Sequence, residues 1–172
     1  YNILQRDVEE LFAEFVKKAK TNQVNPKDEL PGLDQEEDPI LYHFTYAAAA
    51  VLRIYSRLFE DYDAFDYVDM ILQARNALEN GSAQEQIDYR HLLVDEFQDL
   101  NLAQIDLLRQ LLSQQADSRL FAVGDDWQSI YGFKGARPDY FVNFDKQFAP
   151  SSRTDFETNY RCPPAVVDAS RD

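Results

Sequence analysis

Cysteine and histidine are almost absent from this sequence, with one cysteine, Cys162, and two histidines, His43 and His91, in 172 residues. A single cysteine excludes an internal disulfide and a zinc site built on cysteines. The two histidines are far apart, and neither has metal-ligand spacing around it. No apolar run approaches the ~18 residues of a membrane span, and no basic-then-apolar signal pattern is present. We therefore expect no membrane partner and a reducing, cytoplasmic setting.

Glycine is also scarce: the chain has five, and none precedes a Lys-Ser or Lys-Thr pair. The phosphate-binding loop G-x-x-x-x-G-K-[ST] is therefore missing from the sequence. That loop normally holds nucleotide phosphates with its backbone N–H groups and a lysine. A complete ATPase site of this type is excluded for the chain by itself.

Basic residues are few, since 17 Lys and Arg face 31 Asp and Glu, for a formal net charge of −14. Nucleic-acid-binding proteins usually carry a basic surface, because neutralisation of phosphates dominates their affinity. Two explanations would reconcile the acidic composition with DNA binding. In the first, the DNA path uses base stacking and a few local cations. In the second, the source lives at high ionic strength, where an acidic surface aids solvation. Composition leaves both open.

Apolar periodicity predicts strands that alternate with helices. This order favours an α/β fold with a mainly parallel sheet flanked by helices. A break at Asn80-Gly81 is typical of a helix end. The predicted helices are 1–20, 41–62, 65–79, 101–115, a short one near 140–148 and one starting at Pro163-Pro164; the predicted strands are 91–96, 119–124 and 154–157; residues 21–39 are predicted to be loop.

The run from His91 to Asp99, HLLVDEFQD, carries the strongest chemical signal. Its apolar residues predict a buried strand, and Asp95 and Glu96 follow where that strand ends. Ligands of open α/β sheets bind at the carboxyl ends of the strands. Two adjacent acids suit nucleotide hydrolysis, with one carboxylate on Mg²⁺ and its neighbour activating water. Taken alone, the pair is weak evidence, because most acids that follow an apolar run simply cap a strand end.

Two later segments complete a recognisable pattern. The second predicted strand ends in GDDWQSIYGFKGA at residues 124–136, and NYRCP follows at residues 159–163. In order and spacing, these three segments resemble motifs II, III and IV of the UvrD/Rep-type superfamily 1 DNA helicases. The segment GDDWQSIY is most similar to the helicase IV branch of this family. Upstream, AFDYVDMI at residues 64–71 is similar to the segment that precedes motif II, so the resemblance covers roughly residues 45–172.

The resemblance implies a partial RecA-like (P-loop NTPase) parallel sheet flanked by helices, with an N-terminal helical subdomain remnant. Residues 1–42 would be the helical part of a 1B-like subdomain, and residues 43–172 the later half of domain 1A. The chain would then be an internal fragment, whose partners include the N-terminal 1A and C-terminal 2A segments of the same protein. The fragment alone would be inactive.

For the intact protein, the resemblance implies an ATP-dependent DNA helicase. It would couple Mg-ATP hydrolysis to translocation on single-stranded DNA and to unwinding at duplex junctions. Asp95 would bind Mg²⁺, and Glu96 would be the catalytic base. Gln128 would contact the γ-phosphate and orient water, as an amide can both donate and accept hydrogen bonds. Arg161 would bind phosphate oxygens through its planar guanidinium.

Three further residues match positions that touch single-stranded DNA in the family: Tyr131, Phe133 and Lys134. Aromatic rings can stack on successive bases, each stack being worth ~1–3 kcal/mol. The family more often has tryptophan and arginine at the positions of Phe133 and Lys134, which would weaken these contacts here without abolishing them.

Five other residues in the motifs receive less specific interpretations. Gln98 and Asp99 either link the nucleotide state to the rest of the domain or are simply structural. Phe65 and Asp66 are expected to be structural first, with a contribution to the DNA path second. Trp127 has no role that the resemblance assigns, and packing is the default expectation for it.

Alternatives remain open at this stage. The chain could be a non-catalytic, helicase-derived module that binds DNA or protein, or the motor part of a RecB/AddA-like helicase–nuclease. A metal nuclease built on Asp95 and Glu96 is a weaker alternative, because the sequence shows no further acidic or histidine ligands at recognisable spacing.

Overall fold

The computed structural model describes residues 2–29, 32–82, 89–129 and 135–169. The chain divides into two compact units, Tyr1–Val142 and Asn143–Asp172. The first unit is mixed α/β and the second contains short helices. The elements in chain order are α1 (Asn2–Thr21), α2 (Pro26–Glu29), α3 (Pro39–Asp61), α4 (Tyr67–Glu79), β1 (His91–Val94), α5 (Leu102–Ser113), β2 (Arg119–Ala122), α6 (Pro138–Val142), α7 (Phe144–Gln147) and α8 (Pro164–Ala169).

The long helices begin where the sequence supplies a cap. Asp38 accepts a hydrogen bond from the Leu41 N–H at 3.0 Å, and Pro39 occupies the first position of α3. Reciprocal side-chain and backbone bonds between Asp66 and Asp69 start α4. Such caps satisfy N–H groups that have no partner inside the helix. The same arrangement, between an asparagine and a glutamine three residues later, starts α5.

The sheet of the first unit consists of β1 and β2, which pair in parallel from His91 opposite Arg119 to Val94 opposite Ala122. Helix α5 connects them, as parallel pairing requires a long crossover. Ile105 on this helix and Phe97 just after β1 are completely buried. Large apolar side chains on the two strands and just beyond them are, in contrast, well exposed, at 76% for Leu93, 62% for Phe121 and 40% for Val123.

Helix α1 packs against α3 in the first unit. Phe12 and Phe15 both contact the ring of Phe44 on α3, and Val16 and Ala19 are buried. The assignment of residues 1–42 to a 1B-like subdomain stays a prediction.

The predicted helices are confirmed, with ends that move by a few residues. Gly81 has φ 72° and follows α4 at the predicted stop. The short helix expected near residues 140–148 is two short helices on either side of Asn143. The loop predicted over residues 21–39 contains α2.

The strand predicted at residues 154–157 is wrong, because the structure gives residues 151–159 no regular secondary structure. Phe156 is the one large apolar residue of TDFE, and its side chain is 87% exposed. A strand needs a hydrogen-bonded neighbour and a face to bury, and this segment has neither among the residues described. No helix in the described ranges is long and apolar enough to cross a membrane.

Candidate functional site

Asp95 and Glu96 lie where β1 ends, and both are exposed. Glu96 has the left-handed backbone angles φ 50° and ψ 44°. Its N–H donates to Asp95 Oδ1 at 3.0 Å. This conformation costs a non-glycine residue roughly 1–2 kcal/mol and is concentrated at functional sites. It ends the strand at Val94, two residues before the predicted end, and leads into a short 3₁₀ turn at Phe97–Asp99.

Gln98 joins the ends of the two strands. Its side chain is 1% exposed. Its Nε2 donates to Glu96 Oε2 at 2.8 Å, and its Oε1 accepts from the Asp125 N–H at 3.0 Å. Gly124 makes room for it, since a Cβ there would lie 2.4 Å from Gln98 Oε1 and 3.1 Å from the ring of Phe141. A side chain at position 124 would therefore displace the link between the strands.

Gln128 is placed by the turn that follows β2. The side chain of Asp125 caps this 3₁₀ turn, with Oδ1 accepting from the Trp127 N–H at 3.1 Å. Its other oxygen, Oδ2, accepts from Gln128 Nε2 at 2.6 Å. A chain of hydrogen bonds thus runs from Glu96 to Gln128 through Gln98 and Asp125. Asp95, the candidate Mg²⁺ ligand, lies next to Glu96 in this group. We call the five residues together the strand-end cluster: Asp95, Glu96, Gln98, Asp125 and Gln128.

The strand ends carry a local excess of negative charge. Among the residues that the structure describes, none of Asp95, Glu96, Asp125 and Asp126 has a Lys, Arg or His partner at ion-pair distance. The same described ranges hold no group of three or more His, Cys, Asp or Glu side chains able to bind a metal ion. A single exposed aspartate nonetheless suits Mg²⁺, which is usually held by one or two carboxylates together with water and substrate phosphates.

The remaining predicted site residues lie in the second unit or outside the described residues. Arg161 lies in the second unit, where its N–H donates to Asn159 Oδ1 at 2.9 Å. Tyr131, Phe133 and Lys134 fall outside the described residues. Their roles stay predictions.

The default expectation for Trp127, a packing role, is wrong. Its side chain is 93% exposed, because the 3₁₀ turn at Asp126–Gln128 presents it to solvent.

A second group of charged side chains lies away from the strand ends. Lys20 Nζ is 2.6 Å from Asp66 Oδ2 and 2.6 Å from Asp69 Oδ1. The Tyr55 hydroxyl donates to Asp66 Oδ2 at 2.8 Å, and the Lys20 ammonium also lies over the rings of Tyr55 and Phe59. We call this group the Lys20 cluster. It joins α1, α3 and the start of α4, and it supports the structural interpretation of Asp66.

The Lys20 cluster shifts two pKa values. Burial by itself would raise the pKa of Asp66, but hydrogen bonds from Lys20, from the Asp69 N–H and from Tyr55 outweigh it and hold that pKa below its usual 3.8. Burial and the bond to Asp66 raise the pKa of Tyr55 well above its usual range. Both shifts favour the ionised aspartate and the neutral phenol in the folded protein.

The resemblance of the motifs gave no indication that Asp125 is the partner of Gln128. The signal was present, because an aspartate directly after a strand and three residues before a glutamine is a typical turn cap.

The matching family model describes the UvrD/REP helicase N-terminal domain, and it covers residues 1–149. The chain belongs to this family. The resemblance of its motifs to UvrD/Rep-type superfamily 1 helicases is therefore confirmed.

Individual relatives agree with the family. DNA helicase IV of Escherichia coli K12 is 38% identical over 113 residues, which cover 66% of this chain and 16% of that protein. The ATP-dependent DNA helicase Rep of Salmonella typhimurium is 37% identical over 128 residues, covering 69% and 19%. The ATP-dependent DNA helicase UvrD1 of Mycobacterium tuberculosis H37Rv is 30% identical over 168 residues, covering 93% and 21%. The chain thus spans about a fifth of the length of these relatives.

Proposed function

We propose that the intact protein containing this chain is an ATP-dependent DNA helicase. It couples Mg-ATP hydrolysis to translocation on single-stranded DNA and to unwinding at duplex junctions. The observation that carries the proposal is the hydrogen-bond chain from Glu96 through Gln98 and Asp125 to Gln128. It supports a shared site for the attacking water and the terminal phosphate. The names of the relatives, which are ATP-dependent DNA helicases, agree with it.

In this proposal Glu96 is the catalytic base. Gln98 donates to one of its carboxylate oxygens, Oε2, at 2.8 Å. The other oxygen, Oε1, is left to accept a proton from water. The left-handed backbone of Glu96 turns its side chain away from the direction that a continuing strand would give it.

Nucleotide binding also requires cationic partners. Asp95 is the residue that would hold Mg²⁺. When bound, this ion would offset the negative charge of the nucleotide phosphates. The absence of a Lys or Arg partner at Asp95 in the described ranges fits this role. Arg161 would bind the γ-phosphate through its guanidinium, and Gln128 would bind it through its amide.

The single-stranded DNA would run along the segment that follows Gln128. Tyr131 and Phe133 would stack on bases, and Lys134 would contact a phosphate or a base. Gln128 would move when the nucleotide changes state. Because the DNA-contacting residues lie only three to six positions later in the chain, this movement would shift them along the DNA.

The chain would form only part of a RecA-like domain. The exposed side chains Leu93, Phe121 and Val123 support this, because a sheet of this class is normally covered on both faces. We propose that the N-terminal 1A and C-terminal 2A segments of the same protein complete the fold and the nucleotide site. Residues 1–42 would then belong to a 1B-like subdomain and residues 43–172 to domain 1A.

The test is ATP hydrolysis with and without single-stranded DNA, measured on the full-length protein and on this 172-residue chain. We expect DNA-stimulated turnover from the full-length protein and none from the chain, which lacks the phosphate-binding loop. A full-length protein without DNA-stimulated turnover would contradict the helicase proposal. Turnover from the chain at the full-length rate would contradict its assignment as an incomplete site.

A further inference from the structure

We propose that Asp125 is a positioning residue for Gln128: its carboxylate selects the one orientation of the Gln128 amide that serves hydrolysis. This inference rests on the proposed function and assigns Asp125 a role in it. Asp125 acts through Gln128 and need not touch the nucleotide itself.

The carboxylate of Asp125 is held in place by the backbone. Oδ1 accepts from the Trp127 N–H at 3.1 Å, and the Asp125 N–H is itself fixed by the buried side chain of Gln98 at 3.0 Å. Oδ2 is therefore presented at a defined point, 2.6 Å from Gln128 Nε2. Gln128 is exposed, so its amide would otherwise rotate in solvent.

The two ends of a glutamine amide have nearly the same shape but opposite hydrogen-bonding roles. The oxygen only accepts and the NH₂ group only donates. An ionised carboxylate also only accepts, so it can bind the NH₂ end of Gln128 and rejects the oxygen end. With one N–H on Asp125, Gln128 keeps a second N–H for a phosphate oxygen and its Oε1 for the attacking water. A half-turn of the amide would present the wrong group to each.

Asp125→Asn in the full-length protein separates the positioning of Gln128 from the capping of the turn by the same side chain. Asparagine is as good a cap as aspartate, but it has a single acceptor oxygen. With that oxygen on the Trp127 N–H, asparagine presents an NH₂ group in place of Oδ2, and this group cannot accept from Gln128 Nε2. Asp125→Ser is the second variant, since serine also caps the turn and is too short to reach Gln128. Asp126→Asn is the matched control, because it removes the same charge one residue away, where no side-chain contact to Gln128 occurs in the described structure.

The measurement is steady-state ATP hydrolysis with saturating single-stranded DNA, for these variants, for Gln128→Ala and for the Asp125→Asn/Gln128→Ala double variant. We expect both Asp125 variants to lower kcat by about 10- to 100-fold, the range that misplacement of a catalytic group produces, with a smaller change in KM for ATP. The Asp126 control should keep the wild-type kcat. The double variant should be no slower than Gln128→Ala alone, because Asp125 then has nothing to position.

Two outcomes for the Asp125 variants would overturn the inference. One is a wild-type kcat for Asp125→Asn and Asp125→Ser while Gln128→Ala is slow. The other is a double variant whose loss equals the product of the two single losses, which would mean that Asp125 acts independently of Gln128. A wild-type kcat for Gln128→Ala would likewise overturn it, because Gln128 would then have no role to be positioned for. Failure of the proposed function is a different result, the absence of DNA-stimulated turnover in the unmodified full-length protein, so the two failures are distinguishable.

Discussion

The Lys20 cluster and the strand-end cluster both gather carboxylates, but they balance the charge differently. In the Lys20 cluster one largely buried ammonium contacts two carboxylates at 2.6 Å each. In the strand-end cluster, within the described ranges, the carboxylates receive hydrogen bonds from amide side chains and backbone N–H groups and from no cation. The first arrangement places a cation between its two carboxylates, whereas the second leaves three carboxylates at an exposed edge with no cation among the described residues.

This difference separates a structural cluster from a candidate site. Buried charges are retained when they are paired, and loss of one partner is strongly destabilising. An unpaired group of carboxylates contributes no such stabilisation, and the left-handed backbone of Glu96 adds a cost. Features that cost stability and remain in a fold are expected where a ligand uses them. Here the ligand would bring the missing positive charge.

The largest expected effect is on the rate of ATP hydrolysis, and it comes from a substitution in the strand-end cluster. We expect Glu96→Gln in the full-length protein to lower DNA-stimulated ATP hydrolysis by about 10²- to 10⁴-fold, the usual contribution of a general base. The fold should be unaffected, because glutamine can still accept the bond from Gln98, and the change in unfolding free energy should stay within about 0.5 kcal/mol. Hydrolysis within a few-fold of wild type would remove Glu96 from its proposed role.

The matching change in the Lys20 cluster should act on stability. Lys20→Met leaves Asp66 and Asp69 close together without a cation, and we expect it to lower the free energy that holds α1 in place by about 3–5 kcal/mol. Amide hydrogen exchange of α1 in the full-length protein measures this quantity. Lys18→Met is the control, since it breaks only an exposed pair with Glu14 and should cost no more than about 0.5 kcal/mol. Equal exchange in both variants would contradict a structural role for the cluster.

Local sequence patterns predicted most of the fold and the meeting of the two strand ends. Apolar periodicity located the helices, and parallel pairing of two apolar runs brings Glu96 and Gln128 to adjacent strand ends. The pairing of Lys20 with Asp66 could not be predicted, because the residues are 46 positions apart and meet only through helix packing. The false strand around Phe156 shows the same limit, because local sequence does not reveal whether a segment has a hydrogen-bonded neighbouring strand.

Trp127 shows a different limit of sequence reasoning. Its large apolar ring favoured the interior by composition alone. The capped turn that places Gln128 decides otherwise, because a 3₁₀ turn directs successive side chains about a third of a revolution apart. Local geometry at the site therefore overrode the burial preference of the residue.

The smallest expected effect is a pH dependence confined to the Lys20 cluster. The pKa of Asp66 is lower in the folded protein than its usual 3.8. Its contribution to stability is therefore fully present above the unfolded carboxyl pKa and is lost as the pH falls through the folded value. Hydrogen exchange of α1, corrected for the intrinsic pH dependence of exchange, should rise as the pH is lowered from 5 towards 3. Lys20→Met should flatten this dependence, and the same pH slope in both proteins would show that Asp66 and Lys20 are not coupled.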